Sequence, residues 1–261
     1  MEENKIAVIK FGGHAMDIPE LRSAFFADLA ELAGAGYKFV LVHGGGPRIN
    51  ALLKNLNIES KFVRGLRVTD SETLTAVEMA LCGQANKELV RELSKTGLNA
   101  AGISGEDGRT LIASPLDAEL GRVGKIGKVN RELIECLIDG GFLPVVAPVA
   151  LDESGEVLNV NADTAAGAIA SALNAGHFIL VSDVPGALDQ DGRLFSYLSK
   201  SAIDDLIAKG VIHGGMLPKV DACLRARENG CETAFILDGR KPGSLKNYLL
   251  NAEMAGTEID L

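Results

Sequence analysis

The sequence predicts an α/β protein: a three-layer α/β/α sandwich around a mostly parallel open sheet, in two lobes. Short apolar runs alternate with amphipathic helical patterns. A helix between two strands implies a crossover, hence parallel strands covered on both faces. Thirty glycines among 261 residues exceed what a plain helical bundle needs and signal many tight backbone positions. With 47% apolar residues, a chain of this length can bury one large core or two smaller ones.

The first element, residues 6–11, is Ile-Ala-Val-Ile-Lys-Phe, an apolar run that fits a buried strand. Its lysine is the anomaly, because lysine is almost never fully buried without a partner. Residues 18–34 follow, with Leu21, Phe25, Leu29 and Leu32 at helical spacing and Gly34 as the stop. Further strand runs lie at 38–42, 99–103, 143–147, 177–182 and 233–237. Helical patterns are expected at 48–56, 71–95, 130–138, 163–173, 200–209 and 219–228. Thr69-Asp-Ser-Glu72 enters the long second helix as a capping box. Glu106-Asp107-Gly108, Glu153-Ser154-Gly155 and Gln190-Asp191-Gly192 carry turn signals and predict hairpins on the rim. Asp189 and Asp191 before Gly192 match half of a calcium loop, but the other ligands are missing and a turn is the better assignment.

Composition excludes several classes. The net charge of −9, with no Lys/Arg run longer than two, argues against a nucleic-acid binder. Aromatics at 5%, with no Trp, leave little for stacking platforms. Cys82, Cys136, Cys223 and Cys231 form no C-x-x-C pair, so buried thiols in a reducing cytoplasm are expected. Met1-Glu-Glu-Asn is acidic and unlike a secretory signal, and no apolar stretch approaches the ~20 residues of a membrane span. His14, His43, His177 and His213 lack metal-ligand spacing.

Two glycine turns carry the functional signal. His43-Gly-Gly-Gly-Pro47 follows a strand and precedes a helix, where free N–H groups and the helix dipole suit an anion. Gly12-Gly13 does the same after the first strand, at the edge where α/β proteins bind ligands. The usual nucleotide fingerprints fail: no Gly-x-Gly-x-x-Gly follows the first strand, and the Walker-like string 121–128 runs into Val129 instead of Ser or Thr.

Lys10-Phe-Gly-Gly13, His43-Gly-Gly-Gly46, Gly65-Leu-Arg-Val-Thr69, Asn159-Val-Asn-Ala-Asp163, Ser182-Asp-Val-Pro-Gly186 and Gly214-Gly-Met-Leu-Pro-Lys219 resemble, in order and spacing, the motifs of the amino acid kinase family. The likeness covers nearly the whole chain. Gly-Leu-Arg-Val-Thr and Asn-Val-Asn-Ala-Asp are similar to the branch that phosphorylates N-acetyl-L-glutamate. That resemblance implies transfer of the ATP γ-phosphoryl to the side-chain carboxylate, giving N-acetyl-L-glutamyl 5-phosphate and ADP, in arginine biosynthesis.

It also implies the site. Lys10 faces the transferring phosphoryl, Lys219 lies on the nucleotide side, and Asp163 keeps both ionised and aimed. Gly12 and Gly45 offer N–H groups to phosphoryl oxygens. Arg67 clamps the substrate carboxylate in a two-pronged bond, Asn159 serves the N-acetylated amino acid, and Gly45 and Gly46 contact it through the backbone. Asp183, Val184, Pro185, Gly186, Ala187 and Leu188 resemble the ATP-binding segment, with Val211, Ile212 and His213 beside the adenine or ribose. Mg²⁺ is expected to arrive on ATP, with no metal site of the protein's own. Residues 1–175 form the substrate-binding and dimerising lobe, and 176–261 the ATP-binding lobe. A first strand starting near Ile6 leaves no room for the N-terminal helix of ring-forming members, so a homodimer without strong arginine feedback is expected. No nucleic-acid or membrane partner is expected.

Each residue alone has an ordinary structural explanation. Lys10 could snorkel, Lys219 could be a first-turn helix residue, Arg67 a surface residue, Asp163 an N-cap and Asn159 a hairpin residue. Lys125 and Lys128 look like a solvated loop. The rivals are a sibling kinase for an aminoadipate derivative, carbamate or a nucleoside monophosphate, a non-catalytic sensor, and a nicotinamide-dependent dehydrogenase. Joint occurrence of the motifs favours the kinase.

Overall fold

The computed structural model describes residues 4–251 and 253–261. The acidic Met1-Glu2-Glu3 start and the His14 side chain lie outside the described residues. In chain order come β1 (Ile6–Phe11), α1 (His14–Asp17), α2 (Pro19–Gly34), β2 (Lys38–His43), α3 (Gly46–Asn55), β3 (Phe62–Val63) and β4 (Leu66–Arg67). A long helix follows as α4 (Ser71–Glu78), a π-helical segment (Met79–Ala85) and α5 (Asn86–Ser94). Next are β5 (Ala100–Ser104), β6 (Leu111–Pro115), β7 (Val123–Val129), α6 (Glu132–Asp139), β8 (Leu143–Ala147), β9 (Val149–Leu151), β10 (Val157–Val160) and α7 (Ala162–Ala172). The chain closes with β11 (His177–Ser182), β12 (Tyr197–Ser199), α8 (Lys200–Ala208), α9 (Leu217–Glu228), β13 (Thr233–Asp238), α10 (Ser244–Asn251) and β14 (Gly256–Asp260). The architecture is α/β, with mostly parallel strands and helices on both faces, as the sequence predicts.

Two compact units divide the chain: Met1–Val40 with Ala166–Leu261, and Leu41–Ala165. Residues 1–40, placed with the first lobe on sequence grounds, therefore pack with the C-terminal residues. In the first unit the strands run in the order β12-β14-β13-β11-β1. β11 is parallel to both β1 and β13, while β14 is antiparallel to β13. The three central strands are apolar on both faces, as parallel strands under two helix layers must be. Ala7, Val8, Ile9, Phe178, Ile179, Leu180, Phe235 and Ile236 are all inaccessible to solvent. Phe11 stacks on Phe25 of α2 at 4.8 Å, and Tyr248 of α10 on Phe235 at 4.1 Å.

In the second unit β8 lies between β2 and β5, parallel to both. β10, β7, β6 and β9 close into a small barrel, and β3 and β4 make a hairpin. Its turn, Arg64-Gly65, has both φ angles positive, 51° and 79°, the geometry that matches strand twist. Ile49 and Leu53 of α3 pack with Ala76, Val77, Ala80 and Leu81 of the long helix and with Ala147 and Val149.

Several local expectations are corrected. Lys125 and Lys128 stand in the barrel strand β7, exposed, rather than in a loop. Glu106-Asp107-Gly108 makes no hairpin: Asp107 accepts the Ser104 N–H at 2.7 Å and a 3₁₀ turn covers Asp107–Arg109. The long helix is capped by Asp70, not Thr69. The Asp70 carboxylate accepts the Thr73 N–H at 2.8 Å, which also holds its pKa below the usual carboxylate range. Thr69 is buried and bonded elsewhere.

Asp70→Ala should therefore lower Tm by about 2–6 °C, given that a lost N-cap costs ~0.5–2 kcal/mol. Glu72→Ala, the capping-box partner, should shift Tm by less than about 1 °C, as exposed substitutions usually do. Thermal melts giving the reverse order would restore the capping box.

Candidate active site

The adjacent parallel strands β1, β11 and β13 end on one edge of the first unit, and the turns that follow β1 and β11 carry predicted residues. Lys10 pairs in register with Leu180 and is half-buried. Its Nζ lies 2.8 Å from where a Cβ on Gly12 would stand, so the ammonium is carried over the glycine turn at the strand end. Gly13 has φ +64°, and the Asp183 carboxylate occupies the place of its Cβ. Both facts require glycine there. Asp183 also acts electrostatically on Arg240, which grips the buried Asp238 through Nε–Oδ1 at 2.8 Å and Nη2–Oδ2 at 3.0 Å. That bidentate bond holds the Asp238 carboxyl below its ordinary pKa.

The segment after β11 is tied down from behind. Thr257 Oγ1 accepts the Ala187 N–H at 2.9 Å, and Leu188 bridges to Leu194. Gly186 and Ala187 are buried, Asp183, Pro185 and Leu188 half-buried, and Val184 is the exposed tip. The N–H groups of Val211 and Ile212 both bond the Leu206 carbonyl, at 2.9 and 3.2 Å, closing α8. Ile212 is buried and His213 exposed. Lys219 stands half-buried in the first turn of α9, beside Pro218. A cation there opposes the positive end of the helix dipole, so this position suits a lysine whose counter-charge comes from a ligand or an acidic side chain.

In the second unit β2 delivers His43 and the glycines to the start of α3. Gly45 is the N-cap residue, Gly46 opens the helix and Pro47 sits in its first turn. This helix start carries no acidic residue in its first turn, which leaves its positive end for an anion. Arg67 is only 8% exposed. It donates through Nη1 to Ser60 Oγ and through Nη2 to Asn50 Oδ1 at 2.7 Å, and lies 4.8 Å over the Phe62 ring. Both hydrogen-bond partners are neutral, and burial pulls the guanidinium pKa down. Asn159 Nδ2 donates to Thr69 Oγ1 at 3.1 Å, and that hydroxyl donates to the Arg67 carbonyl at 3.0 Å. Arg67, Asn159 and, through Asn50 of α3, the Gly45-Gly46 turn are thus brought together.

Asp163 is 6% exposed in the first turn of α7. It is not the cap, because Asn161 Oδ1 accepts the N–H groups of Asp163 and Thr164, at 2.9 and 3.2 Å. The N-cap explanation of Asp163 therefore falls, because Asn161 fills that place. Lys10, Asp163, Asp183 and Lys219 each have an interaction partner.

A family model described as the amino acid kinase family matches residues 5–238. The chain belongs to the amino acid kinase family. Among its curated relatives, an acetylglutamate kinase of Novosphingobium aromaticivorans is 43% identical over 273 residues, covering 98% of this chain and 90% of its own. The chloroplastic acetylglutamate kinase of Arabidopsis thaliana is 45% identical over 260 residues, covering 98% and 75%. The solved structure of smu.665 from Streptococcus mutans matches with a TM-score of 0.85 at 28% identity, over 98% of this chain and 99% of that one. In this amino acid kinase, motif spacing alone missed Asn50, Ser60, Asn86, Asp238 and Arg240, which hold the predicted residues or their turns in place.

His43 has no solvent exposure. Burial pushes its imidazole down from 6.5 to about 4, against the opposing bond to the Gly44 carbonyl. Below pH 6.5 the unfolded chain takes a proton that the folded chain refuses until about pH 4, so acidification favours unfolding. The linkage is worth about 3 kcal/mol, lost as pH falls through that window. Urea midpoints should fall between pH 6.5 and 4, and His43→Asn should flatten the fall. An unchanged slope in that variant would assign it to the carboxylates.

Proposed function

We propose that this kinase transfers the γ-phosphoryl of ATP to the side-chain carboxylate of N-acetyl-L-glutamate, giving N-acetyl-L-glutamyl 5-phosphate and ADP in arginine biosynthesis. The observation that carries this reading is the chain Asn159–Thr69–Arg67. A buried guanidinium with neutral partners and a neighbouring amide matches an α-carboxylate beside an N-acyl group. Arg67 uses two of its five N–H donors on Ser60 and Asn50, leaving three for a bidentate bond. The acetylglutamate kinase names of relatives matched over nearly the whole chain support the same acid.

A carboxylate is already a nucleophile at neutral pH, so the reaction needs no base. It needs positioning, and stabilisation of charge on the equatorial and leaving oxygens. We assign the transferring group to Lys10 and the N–H groups of Gly12 and Gly45, and the leaving nucleotide to Lys219, with Asp163 orienting the ammonium groups. Asp183, Val184, Pro185, Gly186, Ala187 and Leu188 take the phosphates and ribose, with Val211, Ile212 and His213 toward the base. Asp238 and Arg240 brace that rim. Mg²⁺ enters as part of the nucleotide substrate. Among the described residues no group of three or more His, Cys, Asp and Glu is placed to hold a metal ion.

Of residues 1–175, expected on sequence grounds to bind the acid and form the homodimer, we keep 41–165 in that role. Residues 4–40 and 166–175 fall in one compact unit with 176–261 and are assigned with them to ATP. Cys223 and Cys231 are buried as expected, but Cys82 is half-buried and Cys136 exposed. None of the four is in a disulfide, which suits a reducing cytoplasm, and no described helix is long and apolar enough to cross a membrane.

ATP and N-acetyl-L-glutamate with hydroxylamine should yield a hydroxamate, and carbamate, L-glutamate or an acetylated aminoadipate much less. Preference for any of those acids would move the chain to a sibling activity. Arg67→Lys should raise KM for the acid at least about tenfold and leave KM for ATP within about twofold, because lysine cannot make the fork. Lys10→Met should lower kcat by about 100-fold or more with an unchanged melting curve. Near-normal turnover would remove Lys10 from the chemistry.

A further inference from the structure

The helix that follows the β3–β4 hairpin changes its winding between α4 and α5. In the π-helical segment Met79–Ala85 the backbone bonds skip one residue more than in an α-helix, and the Asn86 N–H bonds the Leu81 carbonyl five residues back. In an unbroken α-helix Asn86 would stand about 140° round from Leu81, on the opposite face. The wider turn brings both toward one side. Both ends of the segment then meet the same glycine turn. Leu81 Cδ2 lies 2.5 Å from where a Cβ on Gly45 would be. Asn86, itself buried, places Nδ2 3.3 Å from His43 Nε2.

The partners fix the protons. Asn86 Nδ2 also reaches the carbonyls of Val145 at 2.8 Å and Ile103 at 3.2 Å, so this atom is the amide nitrogen, whose two hydrogens are shared among three acceptors and which only donates. His43 Nε2 must accept, and the ring proton sits on Nδ1. Nδ1 lies 2.8 Å from the Gly44 carbonyl oxygen and donates to it. The Gly44–Gly45 peptide is trans. A carbonyl pinned toward the imidazole therefore turns the Gly45 N–H away from it.

This arrangement has a cost. Asn86 Oδ1 is buried without a hydrogen-bond partner, lying where a Cβ on Gly102 would be. An apolar residue would fill the space without stranding an oxygen. Asparagine at this position is explained by its nitrogen, which bonds the Val145 and Ile103 carbonyls and reaches His43.

We propose that Asn86 is a positioning residue for phosphoryl transfer. It holds His43 in the Nδ1-protonated tautomer, which pins the Gly44 carbonyl and aims the Gly45 N–H at the oxygens of the group in transfer. This rests on the role assigned above to Gly45.

The test begins with the wild-type protein. Long-range ¹H–¹⁵N spectra of its four imidazoles, with His43 assigned through His43→Asn, should show His43 protonated at Nδ1 and bare at Nε2 at neutral pH. A proton on Nε2 would overturn the relay without any functional assay. The variants then separate positioning from filling. His43→Asn keeps a donor where Nδ1 stands, whereas His43→Gln keeps only the reach toward Asn86. We expect His43→Asn to hold kcat within about threefold, and His43→Gln and Asn86→Leu to lose about 30-fold in kcat with KM for ATP unchanged. Equal losses in His43→Asn and His43→Gln would reduce His43 to core filling and overturn the proposal. Should the wild type give no hydroxamate from any acid in the panel, the reaction itself falls, and the tautomer spectrum still decides the relay.

Discussion

A chain of net charge −9 that binds a polyanion must attract it locally, against its own field. The structure meets that constraint at strand ends, where glycine leaves the backbone bare and a side chain is laid against it. The Lys10 ammonium lies over Gly12, the Asp183 carboxylate against Gly13, and Leu81 against Gly45, while His43 bonds the Gly44 carbonyl. Bare glycine N–H groups are useful to an anion only if their direction is fixed before it arrives, because donors that need no reorganisation stabilise charge most. The side chains packed on these turns supply that fixity.

The cores beneath explain why the turns hold still. β1, β11 and β13 are apolar on both faces and paired in register, so a slip of one residue would cost every buried contact at once. In the second unit the burden falls on polar links. Arg67 is buried, an expensive place for a charge, and its fixed orientation comes from Ser60, Asn50 and the Phe62 ring. On the proposed reading Arg67 keeps donors open for a ligand carboxylate, which a carboxylate of the protein's own would occupy. Neutral partners are the compromise.

The long apolar strands and the amphipathic helices were legible in the sequence because their periodicity is a property of neighbours. Of the small barrel only the β9–β10 hairpin, round the Glu153-Ser154-Gly155 turn, was legible; β7, Val-Gly-Lys-Ile-Gly-Lys-Val, mixes glycine and lysine as a solvated loop does. Thr69 was misassigned as a cap because Asp70, one residue on, carries the same chemistry. The roles of Lys10, Arg67 and Asp163 were suggested by motif, but Asn50, Ser60 and Asn86 were invisible. Asn50 and Asn86 act on residues far away in the chain, and a polar residue on a helix pattern ordinarily marks the solvent face. Ser60, near Arg67 in the chain, lies in a segment with no periodicity to read. Asn86 was hidden twice over, since its inward direction depends on a π turn that a 3.6-residue period does not reveal.

The most direct measurement is a crystal structure with ADP, magnesium, tetrafluoroaluminate and N-acetyl-L-glutamate, the aluminium complex standing for the phosphoryl group in flight. The expected result places its fluorides within about 3 Å of Lys10 Nζ and the Gly12 N–H, with the α-carboxylate of the acid on Arg67. Finding Lys10 turned away from the fluorides, or the acid bound without Arg67, would contradict the assignment of this glycine-edged site to phosphoryl transfer.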